Sequence, residues 1–146
     1  VQSSQTAIAE LLEKHGCDQI AIIRQGDESG VQFVLDEMPF LIRVDAQRVA
    51  ARAIAIKPYH PRTRCNRAEY DQKMLDQARK VVWRHIHDWI RTALNMVENG
   101  MIDMITAFLP YLMTRDGGTL GTYVRDNKAK FISESSSGFA MLEGKK

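Results

Sequence analysis

An apolar stripe dominates this sequence. Leu75, Ala78, Val82, Ile86, Trp89, Ala93 and Val97 recur at spacings of three and four, the period that lines side chains up on one face of an α-helix. Asn66 with Glu69 three residues later has the form of a capping box, and Gly100 supplies a stop. The stripe predicts a helix over about residues 67–99, about 50 Å long at about 1.5 Å per residue. That is longer than a compact domain of 146 residues requires. Part of the helix is expected to pack on the protein's own sheet and part on another chain, so a homo-oligomer is anticipated.

The segment before this helix has other periods. "SSQTAIAELLEKHG" reads as a short amphipathic helix carrying Ala7, Ile8, Leu11 and Leu12, with Ser3 or Ser4 as its cap and Gly16 as its end. "DQIAIIRQ" predicts a strand over about 18–25, and "GDESG" a turn. Val31, Phe33 and Leu35 then alternate on one strand, and Phe40, Ile42 and Val44 on the next, with Glu37, Met38 and Pro39 connecting them. "ARAIAIK" fits a fourth strand or a short helix. Pro58 and Pro61 favour an extended segment after it. Beyond Gly100, "MIDMITAFLPYLM" predicts a second helix broken or kinked at Pro110, and "TRDGGTLGTYV" a turn followed by a short extended piece. The fold class is α+β: a small antiparallel three-stranded sheet packed by a long helix and a shorter C-terminal helix, with an extended tail. Residues 1–126 form one domain and 127–146 the tail.

Several function classes fall away on composition. No stretch of about 18 apolar residues exists to cross a membrane, and the N-terminal residues lack the pattern of a secretory signal. The cytoplasm of a host cell is the expected location. Two cysteines, Cys17 and Cys65, are too few for a disulfide scaffold. There is no G-x-S-x-G, no phosphate-binding glycine loop and no H-E-x-x-H, so no enzymatic activity and no cofactor are expected. His85 and His87 lie two residues apart on the helix and point away from each other, so they cannot share one metal ion. His85, beside Val81 and Trp89, reads as a partly buried polar residue. His15, Cys17, His60 and Cys65 have zinc-binding chemistry, but their spacings match no familiar zinc motif, and no metal is expected.

Charge is more informative. A net charge of +2 conceals a balance of −5 over residues 1–45 and +7 over residues 46–91. From Ala46 to Ala68 there is no Asp or Glu, while Arg48, Arg52, Lys57, Arg62, Arg64 and Arg67 are all cationic. Cations in a proline-stiffened segment suit phosphate contacts, and Tyr59 and His60 add flat groups able to stack on bases. A second set lies opposite the apolar stripe of the long helix, where Lys73, Gln77, Lys80, Arg84, His87 and Arg91 follow spacings of three and four. The competing reading is that the basic segment pairs with the acidic first third of the chain or with an acidic protein. Trp83 falls off the apolar stripe; beside Lys80 and Arg84 it suits an interface, or else it packs under the tail. Phe131, Ile132, Phe139, Met141 and Leu142 are the apolar anchors of the tail and candidate docking residues.

Within Ala78–Tyr123, Trp83 and Arg84 are followed by Ile90, Arg91, Thr92, Leu94, Val97, Glu98 and Gly100 at the helix end. Then come Phe108 and Leu109, and a turn with Gly118, Thr119 and Gly121. This stretch resembles a group of small phage and prophage proteins of uncharacterised function. The resemblance implies a mobile-element setting and no particular activity, and it favours DNA handling or interference with a host protein. The combined expectation is a phage-type accessory protein that binds DNA or RNA non-specifically through the basic segment and the helix stripe. The alternative is a non-enzymatic protein that docks on a host protein as inhibitor or adaptor.

Overall fold

The computed structural model describes residues 2–133. In chain order these form α1 (Gln2–Lys14), β1 (Asp18–Gln25), β2 (Glu28–Leu35), β3 (Met38–Asp45), α2 (Ala46–Ile56), α3 (Arg67–Glu98), α4 (Met104–Phe108), a 3-10 turn (Leu109–Tyr111) and α5 (Leu120–Asp126). Residues 128–133 are also helical. The architecture is α+β, with an antiparallel sheet in the order β1-β2-β3, as the alternation of the sequence predicts.

Both hairpins close with two-residue turns. Leu35 pairs with Met38 across Asp36 and Glu37, whose positive φ angles of 50° and 66° make a turn whose twist matches the right-handed twist of the flanking strands. The connection therefore precedes Met38 and Pro39, which belong to β3. Gln25 pairs with Glu28 across Gly26 and Asp27, so Glu28, Ser29 and Gly30 are strand rather than turn. On the covered face, Val31, Phe33, Leu35, Phe40 and Ile42 are buried. Phe33 and Phe40 stack at 5.4 Å, and Phe108 meets Phe33 edge-on at the same separation.

The ambiguous "ARAIAIK" is helical. Asp45, the last residue of β3, accepts a hydrogen bond from the Gln47 amide at 2.9 Å and caps α2. The strand thus turns directly into a helix that buries Ala46 and Ala50. At the N-terminus, α1 begins at Gln2, so Ser3 and Ser4 lie inside the helix rather than capping it. Gly16, at φ 85°, closes its end as expected. The extended piece predicted near Gly121 is instead α5, capped by the Thr119 hydroxyl.

The long helix has the predicted extent and capping box: Asn66 accepts from the Glu69 amide at 2.8 Å, and Glu69 accepts from the Asn66 amide at 3.3 Å. Five of the seven stripe residues, Leu75, Ala78, Val82, Ile86 and Ala93, are buried as predicted, but the buried face is wider than that stripe and its centre is rotated from it. Trp83 is 2 % exposed and Ile90 and Leu94 are buried, whereas Trp89 is 39 % exposed and Val97 only half-buried. A single stripe assumes one neighbouring surface. Here α1 and α2 both pack on α3, so the covered face is wide and its centre moves towards Trp83 and Ile90. Trp83 is therefore core and not an interface residue. Trp89 lies at the edge of the face, its ring 5.5 Å from Phe108 and 5.2 Å from Tyr111. The same rotation leaves His85 exposed and His87 half-buried. Cover from α1, α2 and the sheet accounts for buried residues from Tyr70 to Leu94, so the length of α3 requires no second chain.

After α4, the segment at Leu112 and Met113 rejoins the sheet: Phe40 bridges Leu112, and the Met113 amide donates to Pro39 O at 2.9 Å. This return brings α5 towards α2. Of the tail anchors, Phe131 sets its ring 6.1 Å from Tyr123 and Ile132 is exposed; Phe139, Met141 and Leu142 lie outside the described residues.

Two substitutions check this packing by denaturant unfolding. Trp83→Ala is expected to lose about 3–5 kcal/mol and Trp89→Ala about 1 kcal/mol; the reverse order would contradict the rotated face. Gly30→Ala should cost about 1–3 kcal/mol, because a Cβ there would lie 2.7 Å from the Ile42 carbonyl oxygen of the adjacent strand. An unchanged melting temperature for Gly30→Ala would refute that close approach.

Candidate nucleic-acid interface

Residues 57–66 link α2 to α3 and are held by two tyrosines. Tyr70 is buried on the first turns of α3 and donates its hydroxyl to Lys57 O. Tyr59 donates its hydroxyl to Cys65 O at 3.1 Å, and the two rings lie 5.6 Å apart. Inside the loop, the Thr63 amide donates to His60 O at 2.8 Å and the Arg62 amide to His60 Nδ1 at 3.1 Å. Pro58 and Pro61 lack a backbone donor, and side chains share the work of holding the loop. Tyr59 is thus half-buried and occupied with the loop itself, which limits it as a stacking platform.

What the loop presents outward is cationic. Arg48 and Arg52 on α2, Lys57, Arg62 and Arg64 on the loop, and Arg67 at the start of α3 are all exposed, as is His60. Among the described residues, none of these cations has a carboxylate within 4.0 Å. Elsewhere acids are at hand: Arg43 lies 3.8 Å from Glu28, and Arg125 lies 3.8 Å from Asp126. Among the described residues, the acidic first third forms no ion pair with the basic segment.

The helix stripe divides in two. Lys80 and Arg84 are exposed and have no ion pair among the described residues, whereas His87 and Arg91 approach Asp88 at 3.3 and 3.9 Å. Lys80 follows Arg67 by 13 positions, about 20 Å along the helix, so the stripe extends the loop cluster rather than merging with it. Arg79, next to Lys80, is used structurally. It bonds Asp27 in the first hairpin turn and Asp76 on its own helix, while Gln47 of α2 donates to Asp27 at 2.8 Å. Hydrogen bonds from Arg79, then Gln47, hold the Asp27 carboxyl below the usual carboxylate range, and the bond to Asp27 raises Arg79.

Sequence reasoning missed a groove of about 940 Å³. One wall is α2, with Arg48, Arg52 and Ile56; β3 contributes Leu41, Arg43 and Val44; Tyr111 and Arg125 stand opposite. Nothing in the sequence joins Arg125 to Arg48. The return of Leu112 and Met113 to the sheet does so, and no periodicity signals that crossing.

Both cysteines are free, and burial, reinforced by Asp18 and Asp36, pushes the Cys17 thiol up to about 11, which leaves it protonated and unreactive near neutral pH. Among the described residues no three His, Cys, Asp or Glu side chains gather as a metal site, and no helix is long and apolar enough to cross a membrane. Comparison with protein-family models, curated proteins and solved structures finds no match to this chain.

The Asp27 tie fixes how α2 and α3 present their cations, and it has a pH signature. Because the folded carboxyl is held low, its stabilisation is present above the unfolded value of about 4 and is lost as pH falls through the folded value. Asp27→Asn should lower the urea midpoint at about pH 7, and the gap from the parent should narrow as pH falls below about 4. A gap of constant size across that range would exclude the ionised tie.

Proposed function

We propose that this protein is a non-enzymatic, nucleic-acid-binding accessory protein of phage type. It grips the phosphate backbone without reading sequence. One observation carries this reading: six exposed cations from Arg48 to Arg67 have no acidic partner among the described residues. Cations left unpaired are available to release counterions from a polyanion, which is the main source of non-specific affinity. Arginine outnumbers lysine five to one in this set, and its planar fork suits phosphate oxygens. Lys80 and Arg84 extend the contact along α3. The phage setting rests on the resemblance of Ala78–Tyr123.

Substitution tests the reading directly. Replacing Arg62, Arg64 and Arg67 together by Ala should weaken binding to DNA or RNA and flatten its salt dependence by up to about three ion equivalents. Binding lost equally with salt in parent and variant would place the contact elsewhere. Failure of the parent to bind any nucleic acid at low salt would refute the proposal.

A further inference from the structure

The groove between α2 and α5 goes beyond a set of phosphate contacts, because its arginines surround an apolar surface. Leu41 and Val44 of β3 and Ile56 of α2 line it; Leu41 is buried and Val44 packs on the core, so the accessible apolar surface is chiefly Ile56, 75 % exposed. Arg48 and Arg52, one helical turn apart, line the groove beside this surface and have no ion pair among the described residues. The two acids that line the groove are engaged: Glu28 lies 3.8 Å from Arg43, and Asp45 caps the Gln47 amide. The groove therefore offers free positive charge beside apolar area.

We infer that this groove holds an unpaired nucleic-acid strand, with phosphates on Arg48 and Arg52 and base faces against Ile56 and its apolar neighbours. The inference rests on the nucleic-acid reading above and narrows it to single strands. A duplex turns phosphates outward and hides its base faces in the stack, so it can satisfy the arginines but gives Ile56 nothing to cover. An unpaired strand presents both surfaces together, and base contact with such platforms is largely indifferent to sequence. Lys57 follows Ile56 directly in the chain, so the end of α2 that lines the groove leads into the loop that carries Arg62 and Arg64. An acidic peptide with apolar side chains shares part of this chemistry. The acid-free run of cations beyond the groove matches a ligand that bears charge at every unit.

Fluorescence anisotropy on the full chain decides the matter. The probes are a labelled oligothymidylate of about 15 nucleotides, a duplex of the same length, and a labelled peptide of alternating Glu and Leu. Circular dichroism checks the fold of each variant. The single strand should bind at least about tenfold more tightly than the duplex. Ile56→Ser should weaken it about five- to tenfold, as for a lost base contact, and leave duplex binding unchanged. Arg52→Ala should reduce its salt slope by about one ion equivalent. Equal binding of strand and duplex, with Ile56→Ser silent, would overturn the groove inference and leave phosphate binding standing. Tighter binding of the peptide than of either nucleic acid would assign the groove to a protein partner instead. Binding of no probe would remove both readings.

Discussion

Burial of one wide face of α3, around Trp83, Ile86 and Ile90, organises the molecule. Three strands joined by two-residue turns have too little interior to be secure alone. Their aromatic face, Phe33 and Phe40, needs a cover, and α3 with Phe108 of α4 completes it. α1 and α2 then pack on the same helix, which widens its buried face beyond a narrow stripe. A helix of this length is stable here because its neighbours come from the same chain, at several points along it, and not from its intrinsic propensity.

Polar links fix the directions of elements that apolar packing alone leaves free to slide. His15, at the end of α1, contacts Glu98 near the end of α3 at 2.8 Å and Leu11 O at the same distance. Asp27, at the tip of the first hairpin, joins α2 and α3 through Gln47 and Arg79. Tyr70 fastens the loop to the start of α3 through Lys57 O. Most of these bonds are solvent-accessible and individually modest. Their value is geometric: they reinforce the roll that the buried faces of α2 and α3 set, and with it which arginines face outward. Arg79 is spent on the hairpin, while Lys80, one position on, is left to solvent.

Sequence alone was a good guide to which local features exist, though it placed both hairpin turns late or long and missed the caps at Asp45 and Thr119. The two hairpins, the capping box at Asn66 and the stop at Gly16 follow from turn and cap chemistry that needs no distant partner. Reading failed where two neighbours compete for one element. The alternation in "ARAIAIK" suits a strand, but Asp45 can cap a helix at once, and packing against α3 rewards the helix. The stripe through Trp89 was chosen as if α3 had one neighbour; a second one drew Trp83 inward, and the roles of the two tryptophans exchanged. On the candidate site, the cations of residues 48–67 were legible as an acid-free run. The groove was not, because it is assembled from β3, α2 and α5 by a chain crossing at Leu112 and Met113 that leaves no periodic trace.

The unpaired cations pose a question about energy that bears on function. Like charges in water repel by about 1 kcal/mol at 4 Å, and salt screens them over about 8 Å. Cations spread over a loop and two helices therefore tax the folded state only slightly. They also add little to it, since they make no ion pair among the described residues. Stability gives no reason for the arrangement, and a single acid among residues 46–68 would relieve what repulsion exists. The loop is nonetheless held by backbone bonds to Tyr59 and Tyr70 that involve none of its charges. Its shape is thus independent of its charge: the tyrosines and prolines set the conformation, and the arginines ride on it. A ligand of opposite charge meets a surface already ordered, which removes part of the entropy penalty of binding. Separation of scaffold from charge is the arrangement expected of a binding surface and is hard to reconcile with a loop whose cations serve only the fold.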